Sequence, residues 1–264
     1  MFSHFMSMHT GSFESGFSWW GPVHIGWLAV IITASVILCV KFRRIGLVDH
    51  DTVRQDRWLK VISLILIGLE ILKDSLLISV HAFNIGFLPL HLCGLSMFVY
   101  LIYAFTKSEK LRSHLGEIAY GMCMICTCGA LLFPDWTAYY PSSFRCILAF
   151  LIHGLLLLFP LLIFTGGRHR PWIRRFPAVV IYIAVVSFPM YFFDRAFDVN
   201  YMFLLHGTKG TPIAALEDSF GSPTYIFIYL GLLLLISFGF YIPFILDDRR
   251  EGGHIRQRLK ERFD

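Results

Sequence analysis

A cysteine and a histidine stand beside a proline in the strongly apolar stretch Leu88-Pro-Leu-His-Leu-Cys93. A deprotonated thiol is a nucleophile and a histidine titrates near neutral pH, so the pair could serve covalent or acid-base chemistry. Pro89 suits the first turn of a helix, where its missing N–H matters least, and this predicts Cys93 about one turn inside. The N–H groups and dipole of a helix N-terminus favour a reactive thiolate there.

His91 is a poor base for Cys93 if both residues are helical. Two residues of an α-helix turn through about 200°, so the two side chains point to opposite faces. His153 is the second candidate base, because it lies about eleven residues into a later apolar run, near mid-depth of a membrane span. A histidine there is either an interhelical hydrogen bonder or the acid or base of a buried site.

Three ionisable residues, Glu70, Lys73 and Asp74, interrupt another apolar run. Spacings of three and four place them on one helical face. Ionisable groups inside a membrane span are costly and normally face a protein interior or a wet cavity. The sequence leaves two interpretations open: an internal ion-pair network that clamps helices together, or a binding or catalytic site.

The connection 194–222 is long and contains several glycines and Thr211-Pro212, which predict turns. Asn200 and Tyr201 begin a segment of it that is more apolar than a free loop. Connections of this length often form lids or binding elements. We therefore regard Asn200 and Tyr201 as candidate binding residues.

The six cysteines lie in or beside apolar runs, so we expect no disulfide framework. Cys123 and Cys126 have the spacing of metal ligands. No second pair and no matching set of histidines accompanies them, so we expect small buried side chains and no metal site.

The elements that must position these residues are membrane-spanning helices. The chain is 56% hydrophobic, with a mean hydropathy of +0.64, which is too apolar for an ordinary soluble domain. A transmembrane helix needs about 20 mostly apolar residues. Seven windows qualify, and they predict an all-α, polytopic membrane protein: roughly 22–41, 58–81, 87–105, 116–133, 142–165, 176–193 and 223–246.

The positive charges predict the orientation of these seven transmembrane helices. Most of the 23 Lys and Arg residues fall in alternate connections and in the tail, and none in residues 1–40. By the positive-inside rule the N-terminus lies outside and the C-terminus is cytoplasmic. The net charge of +5 thus records topology, and we expect no nucleic-acid partner. We also expect no removable signal peptide.

Three regions follow from this pattern. Residues 1–21 form an N-terminal interfacial segment rich in aromatic side chains, 22–247 a seven-helix transmembrane domain, and 248–264 a basic cytoplasmic tail. A chain of this kind is expected as a multi-pass protein of the cell (plasma) membrane. Its oligomeric state cannot be read from the sequence.

Several short motifs resemble, in their joint order, the YwaF-like family of bacterial integral membrane proteins. They are Leu88-Pro-Leu-His-Leu-Cys93, Ser143-Phe-Arg145 followed by His153-Gly154, and Asn200-Tyr-Met-Phe-Leu. That family is related to an animal transmembrane acyltransferase that builds polyunsaturated ether phospholipids. The resemblance implies a seven-helix fold and a Cys/His pair that acts on lipid acyl chains, and Cys93 and His153 match this pair.

These expectations combine into an acyl-transfer hypothesis. His153 would deprotonate Cys93, with Glu70 or Asp74 as the group that orients the histidine. His91 or backbone N–H groups would stabilise the oxyanion, and Asn200 and Tyr201 would contact a headgroup. The partners would be membrane lipids, with a lysophospholipid as acceptor, and no cofactor is needed.

Depth is the main difficulty of this hypothesis, since Cys93 is expected roughly 9 Å and His153 roughly 16 Å below the outer boundary. The alternative is a non-enzymatic lipid or small-molecule binding protein, or a transporter, with Glu70, Lys73 and Asp74 lining an outward cavity. A haem or metal protein that uses His91 and His153 is a third option. Activity of a Cys93 variant separates the first two.

Overall fold

The computed structural model describes residues 16–208 and 211–250. Within them every regular element is helical. The helices are α1 (Pro22–Leu47), α2 (Thr52–Ser79), α3 (Leu92–Phe105), α4 (Glu109–Ile118), α5 (Met124–Leu132), α6 (Phe144–Thr165), α7 (Phe176–Phe197), α8 (Pro212–Phe220) and α9 (Thr224–Arg250). Most of the predicted interfacial segment 1–21 and of the tail 248–264 therefore lies outside the described residues.

Five helical segments are long and apolar enough to cross a membrane: α1, Glu109–Leu132, α6, Ile173–Phe197 and Thr224–Asp248. Helix α2 occupies the second predicted window, but its charged residues interrupt the apolar run. Helix α3 has only 14 residues because it begins later than the predicted position 87. A multi-pass membrane protein is thus supported, whereas the count of seven spans and the orientation of the termini stay predictions.

The connections between helices gather at two ends of the bundle. At the basic end, Arg168 pairs with Asp56 at 2.5 Å, and Arg112 lies 3.9 Å from the same carboxylate. At the other end, which we call the site end, Lys73 donates to the carbonyl of Phe87 at 2.9 Å and Trp19 donates to that of Pro134 at 3.0 Å. Successive long helices therefore run in alternating directions.

Helices α3 and α6 pack side by side and run in the same direction. The Arg145 guanidinium lies 4.5 Å from the Phe87 ring, and further along the Tyr100 hydroxyl donates to the Leu156 carbonyl at 2.9 Å. The Tyr100 ring also stacks on Phe159, with centroids 4.3 Å apart. These contacts fix how far one helix is shifted along the other.

The segment from α4 to α5 passes through the interior, with a π-helical stretch Ala119–Cys123 between them. Ser237 of α9 donates to the Gly121 carbonyl at 2.5 Å, which satisfies a backbone group of that stretch. A π-helical turn widens the helix and often lies at a functional site. Here it is followed by Thr127, whose hydroxyl donates to the Cys123 carbonyl at 2.8 Å.

The outer surface of the bundle is apolar. Large side chains such as Phe188 and Phe227 are 71% and 74% exposed, and Val185 is 63% exposed. Contiguous exposed apolar surface is unfavourable in water but is expected where lipid surrounds a helix. The exposed apolar residues therefore agree with the membrane assignment that hydropathy predicts.

Candidate functional site

Cys93 is the second residue of α3, closer to the helix N-terminus than predicted. Helix α3 begins at Leu92, three residues after Pro89, which corrects the expectation that the proline opens the helix. A proline disfavours helical geometry in the residue before it, and Leu88 is accordingly extended, with ψ 149°. His91 is extended as well, with φ −64° and ψ 156°, and forms the N-cap.

The stretch before α3 folds closely over the first turn of the helix. A Cβ atom on Gly94 would lie 2.5 Å from the Pro89 carbonyl oxygen, well inside contact distance. Only a glycine therefore allows the backbone of Pro89 to approach the helix here. This approach sets the position of both His91 and Cys93.

The imidazole of His91 is fixed by a backbone group from the other half of the chain. Its Nδ1 accepts a hydrogen bond from the Met202 N–H at 3.1 Å, and its ring packs edge-on against Tyr201, with centroids 5.0 Å apart. A nitrogen that accepts carries no proton, so the neutral ring is protonated at Nε2. His91 can therefore donate a hydrogen bond to a ligand but cannot accept one there.

The imidazole of His153 has the opposite arrangement. Its Nδ1 lies 2.8 Å from the Ala149 carbonyl oxygen, which can only accept, so Nδ1 carries the proton. Nε2 then presents a lone pair, as a general base requires. The ring stacks on Trp136 with centroids 4.6 Å apart and a 28° interplanar angle, which limits its rotation.

Electrostatic interactions join these residues into one cluster. Asp135 acts on His91, on Cys93 and on His153, and Lys73 acts on both histidines. His153 also acts on His91. Each of the three predicted reactive residues is only partly exposed, so the cluster lies largely within the bundle.

Sequence reasoning overlooked Asp135 and Thr127. Asp135 stands between the buried Pro134 and Trp136 in a connection at the site end. An acidic residue between a proline and a tryptophan at the end of an apolar run is the signal that could have identified it. The hydroxyl of Thr127 lies beside the Cys93 thiol, although no motif distinguishes this threonine. Both residues reach the cluster through the packing of α5 and α6 against α3.

The parallel register of α3 and α6 reduces the depth mismatch between Cys93 and His153. Phe87 is level with Arg145 and Tyr100 with Leu156, so Cys93 is level with residues 149–151. His153 then lies two to four residues deeper, roughly 3–6 Å along the helix axis. No hydrogen bond joins the two side chains among the described contacts.

The three ionisable residues of α2 pair with one another. Lys73 Nζ lies 2.5 Å from Glu70 Oε1 and 3.4 Å from Asp74 Oδ1. With its bond to the Phe87 carbonyl, Lys73 ties α2 to the segment before α3. Glu70 and Asp74 were expected to orient His153, but its described hydrogen bond goes to Ala149 instead.

Asn200 and Tyr201 belong to a strap, residues 198–206, that crosses the start of α3. The Asn200 side chain accepts from the N–H groups of Leu205 and His206 at 3.0 and 3.2 Å. The Tyr201 hydroxyl donates to the Ile85 carbonyl, and its N–H donates to Asp194 Oδ1 at 2.9 Å. These polar groups hold the strap and thereby position His91.

The remainder of the 194–222 connection differs from the sequence expectation. Thr211-Pro212, predicted as a turn, begins α8: the Thr211 hydroxyl accepts from Ala214 N–H at 3.4 Å as an N-cap. Threonine at the N-cap followed by proline at the first helical position also signals the start of a helix. Thr211-Pro212 is such a start and not a turn.

Among the described residues no group of three or more His, Cys, Asp or Glu could hold a metal ion. The described cysteines are all free thiols. The cluster around Cys93 thus contains one thiol and two imidazoles whose protons lie on opposite ring nitrogens.

Comparison with known proteins gives one match. A family model described as the TMEM164 family matches residues 19–241, which include Cys93, both histidines and the strap. No curated protein and no solved structure matches the chain.

Proposed function

The chain belongs to the TMEM164 family, and we propose that it is a membrane-embedded acyltransferase in which Cys93 and His153 act on phospholipid acyl chains. The observation that supports the proposal is the opposite protonation of two histidines that, like Cys93, lie within the influence of Asp135. His153 presents a lone pair and His91 a donor hydrogen. A base and an oxyanion donor around a nucleophile are what acyl transfer requires.

The first half-reaction forms a thioester. His153 Nε2 takes the proton of the Cys93 thiol, directly or through one water, and the thiolate attacks the carbonyl carbon of a phospholipid ester. The Nε2–H of His91 donates to the developing oxyanion. When the ester C–O bond breaks, the leaving lysophospholipid oxygen takes the proton back from His153.

The second half-reaction returns the thiol. The hydroxyl of an acceptor lysophospholipid loses its proton to His153, and its oxygen attacks the thioester carbonyl. The C–S bond breaks, and the Cys93 thiolate regains the proton from His153. Donor and acceptor both reside in the bilayer, so the proposal needs no soluble cofactor. The membrane that we propose is the cell membrane.

The alternative is a lipid or small-molecule binding protein or transporter whose cavity depends on Glu70, Lys73 and Asp74. The pairing of these charges with one another favours a clamp between α2 and the segment before α3. Buried charges that lack a partner are costly, so removal of one of them is expected to lower stability.

The test uses the purified full-length chain in nanodiscs with a phospholipid donor and an isotope-labelled lysophospholipid acceptor. Transfer of the acyl chain and an acyl adduct on Cys93 are measured by mass spectrometry. We expect Cys93→Ser and His153→Gln to lower transfer by at least about a hundredfold, since each removes a group of the reaction. Cys128→Ser, another half-buried thiol, serves as the matched control.

Glu70→Gln distinguishes the acyltransferase from the binding protein or transporter. If the protein is an acyltransferase, we expect this variant to lose thermal stability while its folded fraction keeps transfer activity. Full transfer by Cys93→Ser, or no adduct on Cys93 in an active preparation, would overturn the proposal. Lipid or solute binding that is abolished by Glu70→Gln and unaffected by Cys93→Ser would favour the alternative.

A further inference from the structure

A groove lies between α4 and α7 at the basic end, whereas the cluster around Cys93 lies toward the site end. It encloses about 800 Å³, including the part that opens to the surroundings. Its mouth is at the N-terminus of α7, and its length follows that helix. A groove on the side of a membrane bundle is exposed to lipid.

The mouth of the groove carries positive charge. His114, Arg174 and Arg175 line it, and no Asp or Glu is among its described lining residues. The two guanidinium groups lie 5.7 and 5.0 Å from the Trp172 ring, which holds them at this level. The positive end of the α7 dipole, beginning at Phe176, adds to the attraction for an anion.

The floor of the groove is apolar and uncovered. Ile118 of α4 and Ile181 and Val185 of α7 line it. Ile181 is 61% and Val185 63% exposed, so no other part of the described chain covers this floor. An apolar surface of this kind beneath a cationic mouth matches a molecule with an anionic head and a hydrocarbon tail.

The length of the groove corresponds to one leaflet. From Arg175 to Val185 are ten residues, or about 15 Å of helix. This is half of the roughly 30 Å hydrocarbon thickness of a bilayer. A headgroup at the mouth therefore places an acyl chain along the floor and its end near the middle of the membrane.

The inner part of the groove reaches Tyr182. Its hydroxyl is buried and makes no hydrogen bond within the described residues. The Tyr182 side chain packs against the core cluster that contains Cys123, and Cys93 packs against the same cluster. The groove thus leads from the basic end toward the thiols in the interior of the bundle.

We propose that this groove binds an anionic glycerophospholipid of the leaflet at the basic end. The phosphate lies against His114 and Arg174, and one acyl chain lies along Ile118, Ile181 and Val185 toward Tyr182. Charge complementarity at the mouth and the one-leaflet length select a lipid over a peptide or a soluble anion. Lipid binding here does not depend on acyl transfer at Cys93.

The experiment measures bound lipid on the full-length chain by native mass spectrometry, after release from phosphatidylcholine nanodiscs that contain a minor fraction of phosphatidylglycerol. We expect phosphatidylglycerol to be enriched on the protein over its share in the disc. Arg174→Gln should reduce this enrichment about tenfold, because a charge-assisted bond to phosphate is lost. Arg43→Gln, an exposed arginine of α1 at the same end, should leave it unchanged.

A second pair of variants tests the floor. Val185→Trp fills the groove and should displace the lipid, whereas Val180→Trp, on α7 but outside the groove, should not. Equal enrichment in Arg174→Gln and Arg43→Gln would overturn the proposal. So would loss in Arg174→Gln with full retention in Val185→Trp, because that result indicates a phosphate site without an acyl chain.

Discussion

His91 and His153 owe their opposite proton positions to backbone groups at very different sequence distances. The partner of His153 is the carbonyl of Ala149, four residues earlier on the same helix. The partner of His91 is the N–H of Met202, 111 residues away. The first arrangement could be foreseen from helical spacing, but the second could not, because it depends on how the strap crosses α3.

The two nitrogens of His91 can be tested separately. His91→Asn keeps an acceptor near the Nδ1 position but removes the Nε2–H donor, so we expect normal thermal stability and a kcat about 10²–10³ lower. His91→Gln keeps a donor near Nε2 but leaves the Met202 N–H without its acceptor. We expect it to retain more activity and to lose about 1–3 kcal/mol of stability.

Measured together, acyl transfer rates and melting temperatures of these two variants give a crossed pattern. If activity instead falls in step with stability in both variants, His91 serves only to hold the strap. The function of His91 as an oxyanion donor would then be wrong, while the role of Cys93 would stand.

At the scale of single elements, the start of α3 shows what sequence patterns could not supply. The motif around Cys93 was recognised, and its position near a helix N-terminus follows from Pro89. The actual first residue, Leu92, depends on the doubling back of the chain over Gly94. That contact is tertiary, and a proline alone signals only a nearby helix start.

Gly94→Ala tests this close approach. The new Cβ would lie 2.5 Å from the Pro89 carbonyl, so the backbone must shift, and we expect a loss of about 1–3 kcal/mol together with lower activity of Cys93. Gly129→Ala in α5 is the matched control, since no atom lies within 4 Å of its added Cβ. It should be neutral or stabilising by up to about 1 kcal/mol. Thermal melting of both variants in one detergent decides the comparison.

Helix α8 is held to the strap by a carboxylate whose charge depends on pH. The Gly207 N–H donates to Glu217 at 2.7 Å and His206 lies 3.0 Å from it, and these bonds lower the pKa of Glu217 below its ordinary value of 4.5. A lowered folded-state pKa stabilises the protein above the unfolded pKa. This stabilisation should therefore be complete above about pH 4.5 and be lost as the pH falls through the lower folded value.

Hydrogen exchange at the Gly207 amide, corrected for the intrinsic rate, measures this effect. Protection should fall between pH 6 and pH 3.5 in the wild-type protein. It should be low at both pH values in Glu217→Gln. Asp218→Asn, the exposed neighbour, should behave like the wild type, and an identical pH profile in Glu217→Gln would contradict the assignment.

At the scale of the whole molecule, hydropathy predicted the helical membrane fold, and the charge pattern predicted alternate connections at one basic end. The contacts of Asp56 with Arg168 and Arg112 bring together three of those connections. The relative shift of α3 and α6 could not be predicted, because it depends on Tyr100, Leu156 and Phe159 packing across the interface. That shift is what brings Cys93 and His153 to similar depth.

Helices α2 and α3 are not among the five candidate membrane spans, α2 because of its charged residues and α3 because of its length. Whether they cross the membrane decides the topology. A charge at the centre of a membrane helix costs about 2.5–3.5 kcal/mol. Lys73 lies six residues, or about 9 Å, from the end of α2 and is paired with two carboxylates, which reduces this cost. Helix α3 covers only about 20 Å, and the short helical turn Ile85–Phe87 and the segment before Leu92 extend it toward the site end.

We therefore predict that both helices cross the bilayer. Single cysteines introduced at exposed positions test this with a membrane-impermeant maleimide on intact and permeabilised cells: Asp49→Cys before α2, Phe83→Cys between α2 and α3, and Lys107→Cys after α3. Phe83→Cys should react on intact cells, and the other two only after permeabilisation. If Asp49→Cys and Phe83→Cys label from the same side, α2 does not span. If Phe83→Cys and Lys107→Cys do so, α3 does not, and Cys93 then lies in a re-entrant helix that opens to one face only.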